Sequence, residues 1–316
     1  MKAEPSFEFY RAPIFKGYDF EEDDFLIVPE TLLVLSREFK RIASQRTFIW
    51  WLSVDNSPLP WANNYETRMN KVNSEWFGVT KPGKTWLNDL YEQLFEIKYS
   101  LLASSPSSKL HRINPKKVNN LCQSTYAMSL LRQRGMKNLR YLSDYVEVEG
   151  GVDHDFALHE TGRTRIAYNF AKSKDQVEVL KSIDESIDFI PLTRLSARDM
   201  AEELKRAHLF LDLGHFPGKD RLPREAILLG CPVLLAKRGA ARHERDFPLD
   251  EDFLIDLEHE NPMIALSKIY KIACDKEAAF AQQQRFLTDV INQKETFSEE
   301  VKHLKYNLEM IDRGSL

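Results

Sequence analysis

The sequence predicts an α/β protein with two parallel sheets, each carrying helices on its faces. Three observations lead there. Apolar runs of strand length alternate with amphipathic stretches of helical spacing, the pattern that crossover helices on a parallel sheet produce. The alternation occurs twice, on either side of a glycine- and charge-rich break at Val148–Gly162. The chain has 316 residues, enough for two cores of ordinary size. The expected division is an N-terminal domain over residues 1–147, a linker over 148–163, a second domain over 164–275 and a C-terminal helical segment over 276–316. That last segment is too polar to form a core alone and is expected to pack across both domains.

In order, Phe25–Val28 (FLIV) predicts a buried strand ending at Pro29-Glu30. Leu32, Leu35, Phe39 and Ile42 predict a helix over Thr31–Ala43. Thr47–Val54 (TFIWWLSV) is rich in aromatic and β-branched residues and predicts a strand. Ser57–Thr85 is loop-rich, with Trp61 and Trp76 in it and Trp86 beside it. Its tryptophans read as simple packing or as faces for stacking on sugar rings, and the insertion as an acceptor lid or, through Arg68, Lys71, Lys81 and Lys84, as a contact with an anionic surface. Trp86–Ala103 predicts a helix, Val118–Cys122 a strand, Tyr126–Arg134 a helix stopped by Gly135, and Leu139–Leu142 a strand. In the second half, strands are expected at Arg165–Tyr168, Ile187–Pro191, Leu209–Leu213 and Pro232–Ala236. Helices are expected at Gln176–Ser182, at Ala197–Ala207 behind the cap Ser196, at Arg224–Leu229 and from Pro262 onward.

Composition narrows the function. Lys plus Arg number 44 against 48 Asp plus Glu, a net charge of −4, so the basic footprint of a nucleic-acid binder is missing. Cys122, Cys231 and Cys274 are far apart and form no C-x-x-C, which argues against a disulfide framework or a cysteine zinc site and fits a reducing compartment. The opening residues lack the apolar core of a signal peptide, and no apolar run approaches the ~20 residues that span a bilayer. The expectation is a cytoplasmic protein, with peripheral contact at the inner face of the membrane as an additional expectation. Asp153-His154-Asp155 matches a D-x-D pattern but falls in the linker, and His154 and His159 find no third ligand. No metal and no cofactor are predicted.

The segment Leu209–Gly239 (LFLDLGHFPGKDRLPREAILLGCPVLLAKRG) is the most informative. An apolar strand ends at Gly214, a loop carries Gly218, Lys219, Asp220 and Arg221, and Pro223 opens a helix that stops at Gly230. Unpaired amides at a helix start, with the dipole behind them, bind anions, and Lys219 and Arg221 add charge. Gly214–Lys219 is not a nucleotide-binding P-loop. It has three residues between its glycines instead of four, and Asp220 stands where the magnesium-binding hydroxyl belongs.

Leu222-Pro223, Glu225-Ala226 and Gly230-Cys231-Pro232-Val233 resemble the donor-domain signature of GT-B glycosyltransferases. They are similar to the retaining family that includes many bacterial polysaccharide glycosyltransferases, whose pattern is G-L-P-x-x-E-A…G-x-P-V. The resemblance covers about Arg165–Asp256 and implies two Rossmann-like domains facing each other across a cleft. It implies that Glu225 holds the ribose hydroxyls and that Lys172 and Lys174 bind the donor diphosphate together with Lys219, Arg221 and Leu222. Pro191, Leu192 and Thr193 would read the base. The family's second glutamate, eight residues earlier, is Pro217 here, which leaves His215, Gly218 and Asp220 as candidates for contacting the donor sugar.

The first half is expected to supply the acceptor side. Ligands of open parallel sheets sit beyond the carboxyl ends of the strands. Glu30 and Asp55 each follow a strand and are candidate catalytic carboxylates, Asp55 first because Trp50-Trp51 stands beside it, with Trp51 as a wall for a sugar. Gln123, Ser124 and Tyr126 follow another strand and face the same cleft, as does Asp144-Tyr145. The expected activity is glycosyl transfer from a nucleotide-diphosphate sugar to a hydroxyl of a glycan or lipid-linked acceptor, in surface polysaccharide or glycoconjugate assembly. A non-catalytic nucleotide-sugar-binding partner subunit and a GT-B-like epimerase are the alternatives.

Overall fold

The computed structural model describes residues 21–36, 40–57, 59, 76, 110–148 and 164–312. A four-stranded parallel sheet forms the first half. It contains β1 (Leu26–Pro29), β3 (Thr47–Trp51), β5 (Asn119–Cys122) and β6 (Leu139–Tyr141), in spatial order β1-β3-β5-β6. Phe48, Ile49 and Trp51 are fully buried, as expected where a parallel strand is covered on both faces. Helix α1 (Thr125–Gln133) follows β5, and Ser124 caps it by accepting from the Ala127 amide at 3.1 Å.

Among the described residues, the first half of the helix expected over Thr31–Ala43 is not formed. Val34–Ser36 is instead strand β2, paired antiparallel with β4 (Leu110–Arg112). The spacing of Leu32, Leu35, Phe39 and Ile42 suits a helix, but the strand partner of Val34–Ser36 lies more than seventy residues away, beyond the reach of local reading. The expected helix at Trp86–Ala103 and the linker core at 149–163, with Asp153, His154, Asp155 and His159, lie outside the described residues.

The second half is a five-stranded, wholly parallel sheet of β7 (Arg165–Asn169), β8 (Asp188–Leu192), β9 (Leu209–Asp212), β10 (Val233–Ala236) and β11 (Leu254–Ile255). Its order is β8-β7-β9-β10-β11. The chain moves from β7 to one side and then returns to the other, so the order reverses between β7 and β9. In doubly wound sheets, ligands bind in the crevice at that reversal. Helix α2 (Phe170–Ile183) starts directly after β7, six residues earlier than expected. Helix α3 (Ala197–Arg206) follows the cap Ser196, whose hydroxyl accepts from the Asp199 amide. Helix α4 (Arg221–Leu228) begins two residues before Pro223, which the first turn tolerates because its amides have no helical partner.

Helices α5 (Pro262–Ala273), α6 (Lys276–Gln282) and α7 (Gln284–Asp312) complete the chain. The start of α7 contributes Phe286, Leu287 and Val290 to the core of the second sheet. Its later turns contribute Phe297, Leu304 and Leu308 to a cluster with Phe48 and Leu121 of the first. Trp76 also joins the second core, only 1% exposed, and its indole donates to the Glu260 carbonyl at 2.8 Å. This tryptophan of the insertion is therefore packing, neither lid nor membrane contact. Trp61, Trp86, Arg68, Lys71, Lys81 and Lys84 lie outside the described residues. Among the described residues no helix is long and apolar enough to cross a membrane.

Candidate functional site

The carboxyl ends of β7 and β9 meet at the sheet reversal. Asn169 ends β7 and donates to Asp212, which ends β9, at 2.7 Å. Ser173 of α2 donates to the same carboxylate at 3.3 Å, and the Gly214 amide donates at 2.9 Å. Asp212 is fully buried, and burial pushes its carboxyl up to about 6 despite the nearby Lys172 and these donors, which pull the other way. Sequence reading missed this network. The only available signal was an acidic residue inside the otherwise apolar LFLDL.

The loop from Gly214 to Asp220 leaves this point and crosses to the first sheet. The Val54 amide donates to the Pro217 carbonyl at 2.9 Å. The Lys219 amide donates to Gln123 Oε1 at 2.8 Å, and Gln123 Nε2 returns a bond to the Lys219 carbonyl at 3.4 Å. A β-carbon on Gly218 would lie 1.9 Å from the Leu52 carbonyl oxygen, so only glycine permits this approach. Gly218 and Gln123 therefore join the halves here. Lys219 is 8% exposed, and its ammonium lies 3.6 Å from Asp289 of α7.

Asp55 and His215 face each other across the same junction. Asp55 Oδ2 lies 2.6 Å from His215 Nε2 and accepts from the Tyr126 hydroxyl at 2.8 Å. The Tyr126 ring meets His215 edge-on. A candidate catalytic carboxylate (Asp55), an acceptor-side candidate (Tyr126) and a donor-sugar candidate (His215) are thus brought together from distant parts of the sequence. Glu30 is placed differently. Its two carboxylate oxygens accept from the amides of Leu52 and Ser53 at 3.0 and 3.1 Å, and burial raises its pKa against those bonds. It braces the turn leading to Asp55. Trp51 is fully buried in the first core and its indole donates to Asn120, so it is not a wall for a sugar ring.

Two further links between the halves use partners, Asp246 and Arg224, that carried no sequence signal. Asp246 receives the Thr125 and Tyr126 amides at 2.7 and 2.9 Å, placing a carboxylate on the positive end of α1. Burial raises the Asp246 pKa, and these amides oppose the rise. Arg224, with no exposed surface, makes a two-pronged bond to Asp144, both prongs at 3.0 Å. Asp144 is thereby an anchor for Arg224.

At the start of α4, Lys172 donates to the His215 carbonyl at 2.9 Å and contacts the Asp220 carboxylate. Lys174 is exposed, with its ammonium 5.6 Å from the centre of the Phe170 ring. Arg221 is mostly solvent-exposed and donates to Glu225 one turn on, at 2.7 and 3.1 Å. A cavity of about 400 Å³ opens beside this pair. It is lined by Ala197, Met200, Ala201 and Leu204 of α3, by Arg221, Leu222 and Glu225 of α4, and by Leu229, Glu147 and Val148. Leu192 is buried at the end of β8, while Pro191 and Thr193 are exposed. Arg194, next in the loop, takes a left-handed backbone with φ of 53°. Among the described residues no group of three or more His, Cys, Asp or Glu is placed to hold a metal ion.

No family model and no curated protein matches this chain. Among solved structures, a complex of S. aureus TarM with Fondaparinux, alpha-GlcNAc-glycerol and UDP is similar with a TM-score of 0.48 and 14% identity, over 84% of this chain and 56% of that one. Anabaena Alr3699/HepE in complex with UDP-glucose gives 0.35 and 12%, over 80% and 78%. The pneumococcal O-GlcNAc transferase GtfA in complex with UDP and GlcNAc gives 0.34 and 16%, over 58% and 46%. The chain thus spans little more than half the length of TarM.

Proposed function

We propose that this protein transfers a sugar from a nucleotide-diphosphate donor to a hydroxyl acceptor, without a resident metal or organic cofactor. One juxtaposition carries the reading. At the start of α4, Arg221, Leu222 and Glu225 line a cavity of about 400 Å³, and Asp220 immediately before them contacts Lys172, which sits in the first turn of α2 just after β7 at the sheet reversal.

In this reading the nucleoside enters between α3 and α4. Glu225 accepts the ribose hydroxyls, which a carboxylate can do pairwise, and the base lies near Pro191, Leu192 and Thr193. The diphosphate sits at the α4 amides beside Leu222, with Lys172 and Arg221 as counter-charges and Lys174 at the margin. The bond between the anomeric carbon and the diphosphate oxygen breaks, and the acceptor oxygen bonds to that carbon. These cations neutralise the departing diphosphate. Asp55, fixed by Tyr126 and His215, is the carboxylate that takes the acceptor proton. Lys219, Gly218 and Gln123 hold the halves together, and Glu30 supports the Leu52-Ser53 turn. The setting proposed is polysaccharide or glycoconjugate assembly on a glycan or lipid-linked acceptor, at the cytoplasmic face of a membrane.

A second reading is a non-catalytic nucleotide-sugar-binding subunit. It is favoured by the stitching of the Gly214–Asp220 loop to the first sheet, with Pro217 where the resembling family carries a glutamate. Thermal-shift titration with UDP, GDP, ADP and CMP, followed by product analysis across nucleotide sugars, separates the two. Turnover supports transfer, and binding without turnover of any donor supports the subunit. Arg221→Ala is expected to weaken a nucleoside diphosphate about tenfold while leaving the nucleoside within about twofold. Equal losses for both would refute the phosphate assignment.

A further inference from the structure

Lys172 is held in place by its surroundings before any ligand arrives. Its stem arches over Gly214, where an added β-carbon would meet Lys172 Cβ at 2.4 Å. Its ammonium donates to the His215 carbonyl and the Asp220 carboxylate, and lies 5.4 Å from the centre of the Phe216 ring. Asp220 is the N-cap residue of α4, yet its side chain accepts no bond from the first amides of that helix. A capping aspartate normally turns its carboxylate onto those amides. Here the carboxylate is directed at the lysine instead.

A negative group therefore stands between the two features that would draw a phosphate, the positive end of α4 and the Lys172 ammonium. We propose that Asp220 is the internal counter-ion of the donor-phosphate site, which a diphosphate must displace from Lys172, and that it thereby sets how tightly a diphosphate is held and how readily it leaves. This rests on the nucleotide-diphosphate reading above. Two anions competing for one ammonium in a partly desolvated site oppose each other, so the incoming ligand must supply more charge than the group it displaces. A diphosphate meets that requirement better than a monophosphate. The side chains of Lys172 and Asp220 are 30% and 20% exposed, so the carboxylate has solvent to move into when displaced. On its return it opposes the bound diphosphate and favours release.

The test is calorimetric titration of UDP, UMP and inorganic pyrophosphate into the wild type, Asp220→Asn, Lys172→Met and the double variant, each checked for an intact thermal transition. Asp220→Ser is the second variant should the asparagine form fold poorly. Asp220→Asn is expected to bind UDP and pyrophosphate about three- to tenfold more tightly, with a smaller gain for UMP. That gain is expected to vanish in the Lys172→Met background, because the effect acts through the lysine. If the wild type binds UDP and Asp220→Asn binds it equally or more weakly, the counter-ion role is overturned while the donor reading stands. A gain that persists in full without Lys172 overturns it as well. If neither folded protein binds UDP, GDP or ADP, the donor reading falls and the counter-ion role falls with it.

Discussion

Replacing Arg224 is expected to destabilise the protein strongly, although the residue touches no proposed substrate. The guanidinium has no exposed surface and uses all five of its N–H groups. Nε donates to the Asp220 carbonyl, Nη1 to Asp144 and Gln293, and Nη2 to Asp144 and the Lys219 carbonyl. Those partners come from just after the last strand of the first sheet, the Gly214–Asp220 loop and α7, so one side chain ties three regions. Removing one partner of a fully buried ion pair costs about 3–5 kcal/mol. Asp144 is 25% exposed and can rehydrate in part, which lowers the figure for Arg224→Met to about 2–4 kcal/mol. For a chain of this size that corresponds to a fall in Tm of roughly 3–6 °C. Arg224→Lys keeps the charge but loses the fork, and should fall between the two. Arg221→Ala is the control, since the arginine side chain is 71% exposed and pairs, among the described residues, only with Glu225 one turn on in the same helix. It should stay within about 0.5 kcal/mol. Urea denaturation followed by fluorescence and circular dichroism gives both numbers. A loss below about 1 kcal/mol for Arg224→Met would show that the buried fork is not a principal tie between the regions.

Two further predictions concern the junction and its pH dependence. The Asp212 carboxyl, pushed up from 3.8 to about 6, keeps a proton in the folded state that the unfolded chain has already lost. Its contribution is therefore fully present below about pH 4 and is lost as pH rises through about 6. Relative to Asp212→Asn, the wild type should lose stability across that window in urea midpoints. Glu30 and Asp246 titrate in both proteins and cancel, so a flat difference would refute the assignment. Gly218→Ala puts a β-carbon 1.9 Å from the Leu52 carbonyl oxygen, so the loop must back away. A cost of about 1–3 kcal/mol is expected, with faster hydrogen exchange at the Lys219 and Val54 amides. Unchanged exchange there would mean the loop does not bear on Leu52.

What the sequence determined by itself was whatever depends on neighbours along the chain. Strand and helix alternation, the Ser196 cap, and the strand–loop–helix unit around Pro223 are local, and periodicity and capping chemistry expose them; that Ser124 caps α1 instead of facing the cleft came only from the structure. Tertiary structure alone decided the pairing of Val34–Ser36 with Leu110–Arg112, the burial of Trp51 and Trp76, and the partners of every charged group at the junction. Asp55 meets His215 from 160 residues away, Thr125 meets Asp246 from 121, and Arg224 meets Asp144 from 80. A charged residue reads the same in sequence whether it faces a ligand, water or another side chain. Only the fold shows that Asp220 faces Lys172, that Lys219 is turned inward, and that Gly218 is a point of contact between the two sheets.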